Sequence, residues 1–381
     1  MRHYLDHNAT SPLRPEARDA LAQAIDRAAG NASSMHAEGR AAKAALDAAR
    51  AQVAALASVP PRDVVFTSGG SEAIAGGIRG VADRAQPVRH RIVVAAIEHS
   101  AVLDAARALA ESGFDVLEVP CAPSGRVDTD TFASALNERT ALACLQAANN
   151  ETGVLQPVAE VGAACRAAGI PFLVDAVQAA GKIAIDRDGW SADLVTLSAH
   201  KLGGPQGAGA LIVRDGLAMA PLIPGGAQER RRRGGTEGVA AAAAFGAACE
   251  VARGELPHES LRLSALRDRL ESALRALAPG VRIHGEDVPR LPNTVNAAFP
   301  GVSGETLVIA LDLAGFSVST GSACASGAVA PSHVILAMGY DDKEARGAVR
   351  ISMGWSTTRE EIEELIARLP ALLARATMSG P

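Results

Sequence analysis

Aromatic residues are scarce in this chain: two tryptophans, two tyrosines and seven phenylalanines among 381 residues. Its cores must be packed by alanine, leucine and valine, and a hydrophobic content of 48% is ample for that. Lysine is scarce too, with only Lys43, Lys182, Lys201 and Lys343 against many arginines. Positive charge is not in excess, since the net charge is −5. That argues against a nucleic-acid or polyanion binder, which needs a basic field. The stretch from Met1 to His7 has no apolar core, so no signal peptide is expected. The longest stretch without a charge or strong breaker, Val239 to Cys249, is too short to cross a bilayer and reads as a buried helix. The five cysteines contain no CxxC pair, and an odd, scattered set fits a reducing cytoplasm. Cys121, Cys144, Cys165 and Cys249 lie in apolar patterns and read as core residues. Cys324 does not. No metal site is expected.

What is present is an alternating pattern. A chain of 381 residues suggests two domains of unequal size. Pro15 opens a helix to about Ala28, and an alanine-rich helix runs from about Ala37 to Ala57. Short apolar strands then alternate with helices: Val64 to Phe66, Arg91 to Ala96, Phe114 to Val119, Thr140 to Gln146, Pro171 to Val174, Asp193 to Leu197 and Ala210 to Val213. Such alternation predicts an α/β fold with a large, mostly parallel sheet covered on both faces. After a Gly- and Arg-rich loop at 224–236, two helices are expected, the second a connector from about His258 to Leu277. A smaller α+β unit follows Pro279. There is no internal repeat and no low-complexity linker.

Ligands of open α/β sheets collect at the carboxyl ends of the strands. Five chemically loaded stretches fall there: Ser68 to Glu72, Glu98-His99, Asn149-Asn150, Asp175 to Gln178, and Ser198 to Lys201. Each has an ordinary reading beside the functional one. Ser68-Gly69-Gly70-Ser71 suits a phosphate at a helix N-terminus, but on its own reads first as an ordinary N-cap. Asp175 follows four apolar residues, so its carboxylate needs a cationic partner, either a pyridinium nitrogen or an arginine. His99 can stack on a planar ring or be structural, and Asn150 can bind a ligand or simply make a turn. Lys201 follows a buried strand and enters the glycine-rich Gly203-Gly204-Pro205-Gln206-Gly207. It can form a Schiff base with a carbonyl cofactor such as pyridoxal phosphate, or be an incidental loop lysine. Arg350 lies inside an apolar strand, where an inward guanidinium suits a substrate carboxylate. Most of the run Arg230 to Arg233 reads as a solvated patch. Cys324 is surrounded only by small residues, Gly321-Ser322-Ala323 before it and Ala325-Ser326-Gly327 after it, a setting that favours a reactive thiol.

Taken together, these motifs resemble those of the cysteine desulfurases, class-V aminotransferase-like enzymes of pyridoxal-phosphate fold type I, in the iron–sulfur cluster branch. The resemblance runs from Tyr4-Leu5-Asp6 to about Glu364. It rests on Ser198-Ala199-His200-Lys201, Asp175-Ala176-Val177-Gln178, Asn149-Asn150-Glu151-Thr152-Gly153, Gly234-Gly235-Thr236-Glu237 and Gly321-Ser322-Ala323-Cys324. It implies a seven-stranded-type sheet domain over 15–255. A small domain of 1–14 and 256–381 would carry the cysteine loop. It implies that Lys201 holds pyridoxal 5′-phosphate and moves protons, that Asp175 pairs with the ring nitrogen, and that Gln178 reaches the ring hydroxyl. His99 would stack on the ring and take part in catalysis. Gly70, Ser71, Ser198 and His200 would hold the phosphate, with Thr236 reaching in from a second subunit of a homodimer. Asn150 and Arg350 would bind the carboxylate end of L-cysteine, with Asn31 beside them. Cys324 would take the sulfur as a persulfide and pass it to an acceptor protein.

The chain departs from the family pattern at Ile74 and Ala75, where asparagine or aspartate and then asparagine are usual, and in its four consecutive arginines. Two other readings stay open on sequence: a selenocysteine lyase or another lyase on the same fold, and a non-catalytic sulfur scaffold.

Overall fold

The computed structural model describes residues 2–28, 30–85, 87–320 and 330–376. The first elements are β1 (His3–Tyr4), α1 (Pro15–Arg27), α2 (Ala37–Leu56), β2 (Val64–Thr67), α3 (Gly70–Ala82), β3 (Arg91–Ala95), α4 (Ser100–Arg107), β4 (Asp115–Val119), α5 (Thr129–Ala135), β5 (Thr140–Gln146) and α6 (Val158–Ala167). They continue with β6 (Phe172–Asp175), β7 (Leu194–Ser198), β8 (Gly209–Val213), α7 (Val239–Leu277), β9 (Arg282–Ile283), β10 (Thr294–Ala298) and α8 (Gly304–Leu313). The last are β11 (Phe316–Ser317), β12 (Ser319–Thr320), α9 (His333–Ala337), α10 (Asp342–Gly347), β13 (Ala348–Ser352) and α11 (Arg359–Ala376).

The large sheet has seven strands in the order β2-β8-β7-β6-β5-β3-β4. Only β8 runs against the others: it pairs antiparallel with both β2 and β7, while the remaining pairings are parallel. Every residue of β5 is buried, as befits a central parallel strand covered on both faces. Alternate residues divide between two cores. Ile92, Val94, Leu142 and Cys144 pack with α3 and α4. Val93, Ala95, Ala143 and Leu145 pack with Phe132, Val161 and Phe245 on the other side.

A separate core joins Leu5 to the later chain. Leu263, Leu266, Leu270 and Leu274 pack there with Val295, Ile351, Leu365 and Leu369. Its antiparallel sheet has the order β12-β13-β10-β9, and β1 pairs with β11 beside it.

The structure corrects three expectations. The two helices expected after the loop are one helix of 39 residues, with Pro257 inside it. Proline removes one backbone donor and disfavours helix, but here both flanks are packed into cores, Ala244 and Phe245 on one side and Leu263 and Leu266 on the other. The boundary expected after 255 therefore falls within a continuous helix. Cys121 is only partly buried, unlike Cys144, Cys165 and Cys249. Its thiol donates to the Ala337 carbonyl at 3.4 Å. The arginine run is solvated over only half its length: Arg230 and Arg231 are exposed, Arg232 and Arg233 are partly buried, and Arg233 pairs with Glu72 at 3.0 Å. Among the described residues, no helix is long and apolar enough to cross a membrane.

Candidate active site

All five loaded strand ends open on one cavity of about 120 Å³. From β2 the chain passes through Gly69 directly into α3, whose N-terminus has no side-chain cap. Gly70 and Ser71 present this positive helix end to the cavity. The cradle is close-fitting. A Cβ on Gly70 would lie 3.0 Å from Val177 Cγ2 and 3.3 Å from Ser198 Cβ. A Cβ on Gly209 would lie 2.5 Å from the Gly69 carbonyl carbon. Ser198 and His200 line the same space. Burial pulls His200 down to about 4, so it is neutral there, with Nδ1 3.1 Å from Thr10 Oγ1. Ile74 also lines the cavity and is buried. At this position the chain supplies packing against the α3–α4 core instead of a polar group.

Deeper in the cavity stand Asp175, His99, Gln178 and Lys201. Asp175 Oδ1 accepts from the Val177 backbone at 2.9 Å and from the Thr196 hydroxyl at 3.1 Å, which sets the plane of the carboxylate. Burial raises its pKa, an environment in which a ring N–H would be bound strongly. His99 caps α4 and its Nδ1 accepts from Ala101 N at 3.1 Å. That bond puts the proton of the neutral ring on Nε2. Burial lowers the pKa of His99. Lys201 Nζ donates to the carbonyls of Asn8 and Ala9, both at 2.8 Å.

Arg350 is buried, as its place in an apolar strand predicts. It donates to Asp6 Oδ1 at 2.8 Å and to the Asn150 carbonyl at 3.2 Å, while its Nε has no hydrogen-bond partner among the described residues. A buried guanidinium with donor capacity to spare is suited to a carboxylate.

Sequence reasoning missed the segment from Asp6 to Thr10, which reads only as a turn-rich stretch. Folded, it crosses the site, held by Asn8 Nδ2 on Thr294 Oγ1 at 2.9 Å and by Asn293 Nδ2 on Asn8 Oδ1 at 3.0 Å. It also missed Lys182, which is buried four residues after Gln178. The scarcity of lysine and the spacing of four from Gln178 were the available signals.

Three expected site residues are not among those lining the cavity: Arg350, which reaches only the carbonyl of the lining residue Asn150, and Asn31 and Thr236. Asn31 is exposed, and its side chain accepts from Ser33 N at 2.8 Å. Thr236 is exposed and lines a different hollow, of about 240 Å³, with Ser68, Arg233 and Glu237. Cys324 lies outside the described residues. The flanking chain is anchored near Arg350: Ser319 donates to Asp6 Oδ2 at 2.9 Å, and Ser332 to Glu151 Oε2 at 2.5 Å.

The chain matches the class-V aminotransferase family over residues 3–365. It is 43% identical over 382 residues to a cysteine desulfurase of Cereibacter sphaeroides, covering 100% of this chain and 98% of that one. Among solved structures it is similar to a NifS-like protein at a TM-score of 0.92 and 34% identity, covering 98% of this chain and 100% of that one. It is also similar to SspA solved in complex with cysteine, at a TM-score of 0.83 and 30% identity, covering 93% of this chain and 100% of that one. Pyridoxal phosphate, the cofactor of such enzymes, fits the residues present: an uncapped helix end with a glycine cradle, a buried carboxylate and a lysine amine. On sequence and on fold alike, this chain belongs to the class-V aminotransferase family, within its cysteine desulfurases.

Proposed function

We propose that the protein converts L-cysteine to L-alanine and places the sulfur on Cys324 as a persulfide, for transfer to an acceptor protein in iron–sulfur cluster or other sulfur-compound biosynthesis. The observation that carries this reading is the convergence of Lys201, Asp175 and His99 on one cavity whose rim holds the Gly70–Ser71 helix end. When bound, pyridoxal phosphate supplies an electron sink that makes the Cβ–S bond of cysteine labile. Asp175 keeps a proton on the ring nitrogen. Lys201 Nζ moves the substrate's Cα proton. His99 would cover the ring, and its Nε2, free of the Ala101 bond, would take up and return protons beside the substrate. Arg350 and Asn150 orient the substrate carboxylate. Cys324 attacks the substrate sulfur: an S–S bond forms and the Cβ–S bond breaks, each of the two sulfurs is oxidised by one electron and Cβ is reduced by two. L-cysteine plus the Cys324 thiol thus gives L-alanine plus the persulfide, with no proton gained or lost.

The exposed Thr236 supports a homodimer in which it completes the phosphate site of the partner subunit. The test is incubation of the purified protein with L-cysteine, assaying alanine and sulfide. Alanine release is expected, and its loss is expected in Lys201→Ala. Sulfide release by Cys324→Ser at the wild-type rate would overturn the assignment of the nucleophile.

A further inference from the structure

After β6 the chain makes helical turns, with Ala179 and Ala180 N–H groups on the Ala176 carbonyl and Lys182 and Ile183 N–H groups on the Ala179 carbonyl. Residues four apart then share a face, so Lys182 meets Gln178. Lys182 Nζ donates to Gln178 Oε1 at 3.0 Å and to the Gln178 carbonyl at 3.1 Å. Gln178 Nε2 donates to the Asn8 carbonyl at 2.9 Å. The same carbonyl accepts from Lys201.

These partners leave the amide one orientation. The Asn8 carbonyl only accepts, so it must face Nε2, which leaves Oε1 to accept from Lys182. One N–H of Nε2 is used on Asn8, and the other is left for the cavity that Gln178 lines. Burial lowers the Lys182 pKa to about 7, and its ammonium form makes a charge-assisted bond on Oε1 that polarises the amide and makes Nε2 a stronger donor. Lysine is rarely buried, because its ammonium loses hydration, yet Lys182 is 7% exposed. A residue that only filled space here would be apolar.

We propose that Lys182 is a positioning residue: it locks and polarises the Gln178 amide so that Nε2 donates to the ring oxygen of the cofactor. This rests on the reading that pyridoxal phosphate is held at Lys201. A donor on the ring oxygen draws charge away from the adjacent protonated linkage to Lys201. Without it, that proton is held more tightly.

The experiment titrates the visible absorbance of the cofactor-bound enzyme with pH in four proteins: wild type, Lys182→Met, Gln178→Leu and the double variant. The expected result is that Lys182→Met and Gln178→Leu each move the midpoint upward by about half a unit to one unit. The double variant is expected to match Gln178→Leu alone, because Lys182 acts through that amide. Lys182→Leu serves the same comparison where Lys182→Met yields no soluble holoenzyme. An unmoved midpoint in the lysine variant overturns the proposal, as does a double variant that shifts by the sum of the singles. A visible band that survives in Lys201→Ala overturns the underlying site assignment, and that failure is separable because it does not depend on Lys182.

Discussion

Arg350 and Asp6 meet at 2.8 Å, with side chains only 3% and 16% exposed, and this pair joins β13 to the N-terminal segment crossing the site. Breaking a buried pair leaves an unpaired charge and costs about 3–5 kcal/mol, so Arg350→Met is expected to lower stability as well as cysteine binding. Arg350→Lys separates the two effects. It keeps a charge for Asp6 but loses the planar fork that holds a carboxylate. A rise in KM for L-cysteine of roughly 10- to 100-fold is expected, with kcat much less affected. Steady-state alanine assays decide it, and an unchanged KM would remove Arg350 from the substrate site.

Glu151 is fully enclosed beside Ser332, and burial pushes its pKa up to about 7. The folded chain then holds a proton that the unfolded chain releases above about 4.5. Stability from this group is present below that pH and is lost as pH rises towards 7. Glu151→Gln keeps the acceptor for Ser332 and cannot ionise. Its melting temperature should exceed wild type at pH 8 and approach it at pH 5, with a difference on the order of 1–3 kcal/mol at the higher pH. Parallel melting curves at both pH values would rule the account out.

Gly209 opens β8 against the loop that precedes α3. Gly209→Ala would place a methyl 2.5 Å from the Gly69 carbonyl carbon, so the loop must shift. Affinity for pyridoxal phosphate should fall about tenfold or more, since roughly 1.4 kcal/mol of lost phosphate binding suffices for that. Titration of apoenzyme with the cofactor measures it. Equal affinity would show that the loop is not part of the phosphate cradle.

Arg231 is exposed with φ +64°, between Arg230 and the partly buried Arg232. The left-handed region costs a non-glycine residue about 1–2 kcal/mol. Arg231→Gly removes that strain, and the extra freedom of the unfolded chain takes back about 0.5–1 kcal/mol. A net gain of up to about 1 kcal/mol is expected, seen as a slightly raised melting temperature or denaturation midpoint. A fall in stability would mean that the Arg231 side chain makes a contact of its own.

Periodicity and strand-end chemistry determined much of this protein before folding was considered. The αβ alternation, the largely apolar β5, the inward Arg350 and the gathering of Gly70, His99, Asp175 and Lys201 at one sheet edge follow from residue order. A parallel sheet with right-handed crossovers must bring the carboxyl ends of its strands to one side. The continuity of α7 through Pro257 could not be read locally, because propensity at a proline is overridden only by packing on both flanks. Asn8, Ala9 and Lys182 could not be read either. Two of them act through backbone carbonyls, which every residue possesses. Lys182 acts through an amide four residues away whose orientation depends on a third, distant segment. Lys201 was visible as a candidate from its strand and its glycines. What it bonds to, and which way Gln178 faces beside it, tertiary structure alone decided, because both depend on where residues 6–10 cross the sheet edge.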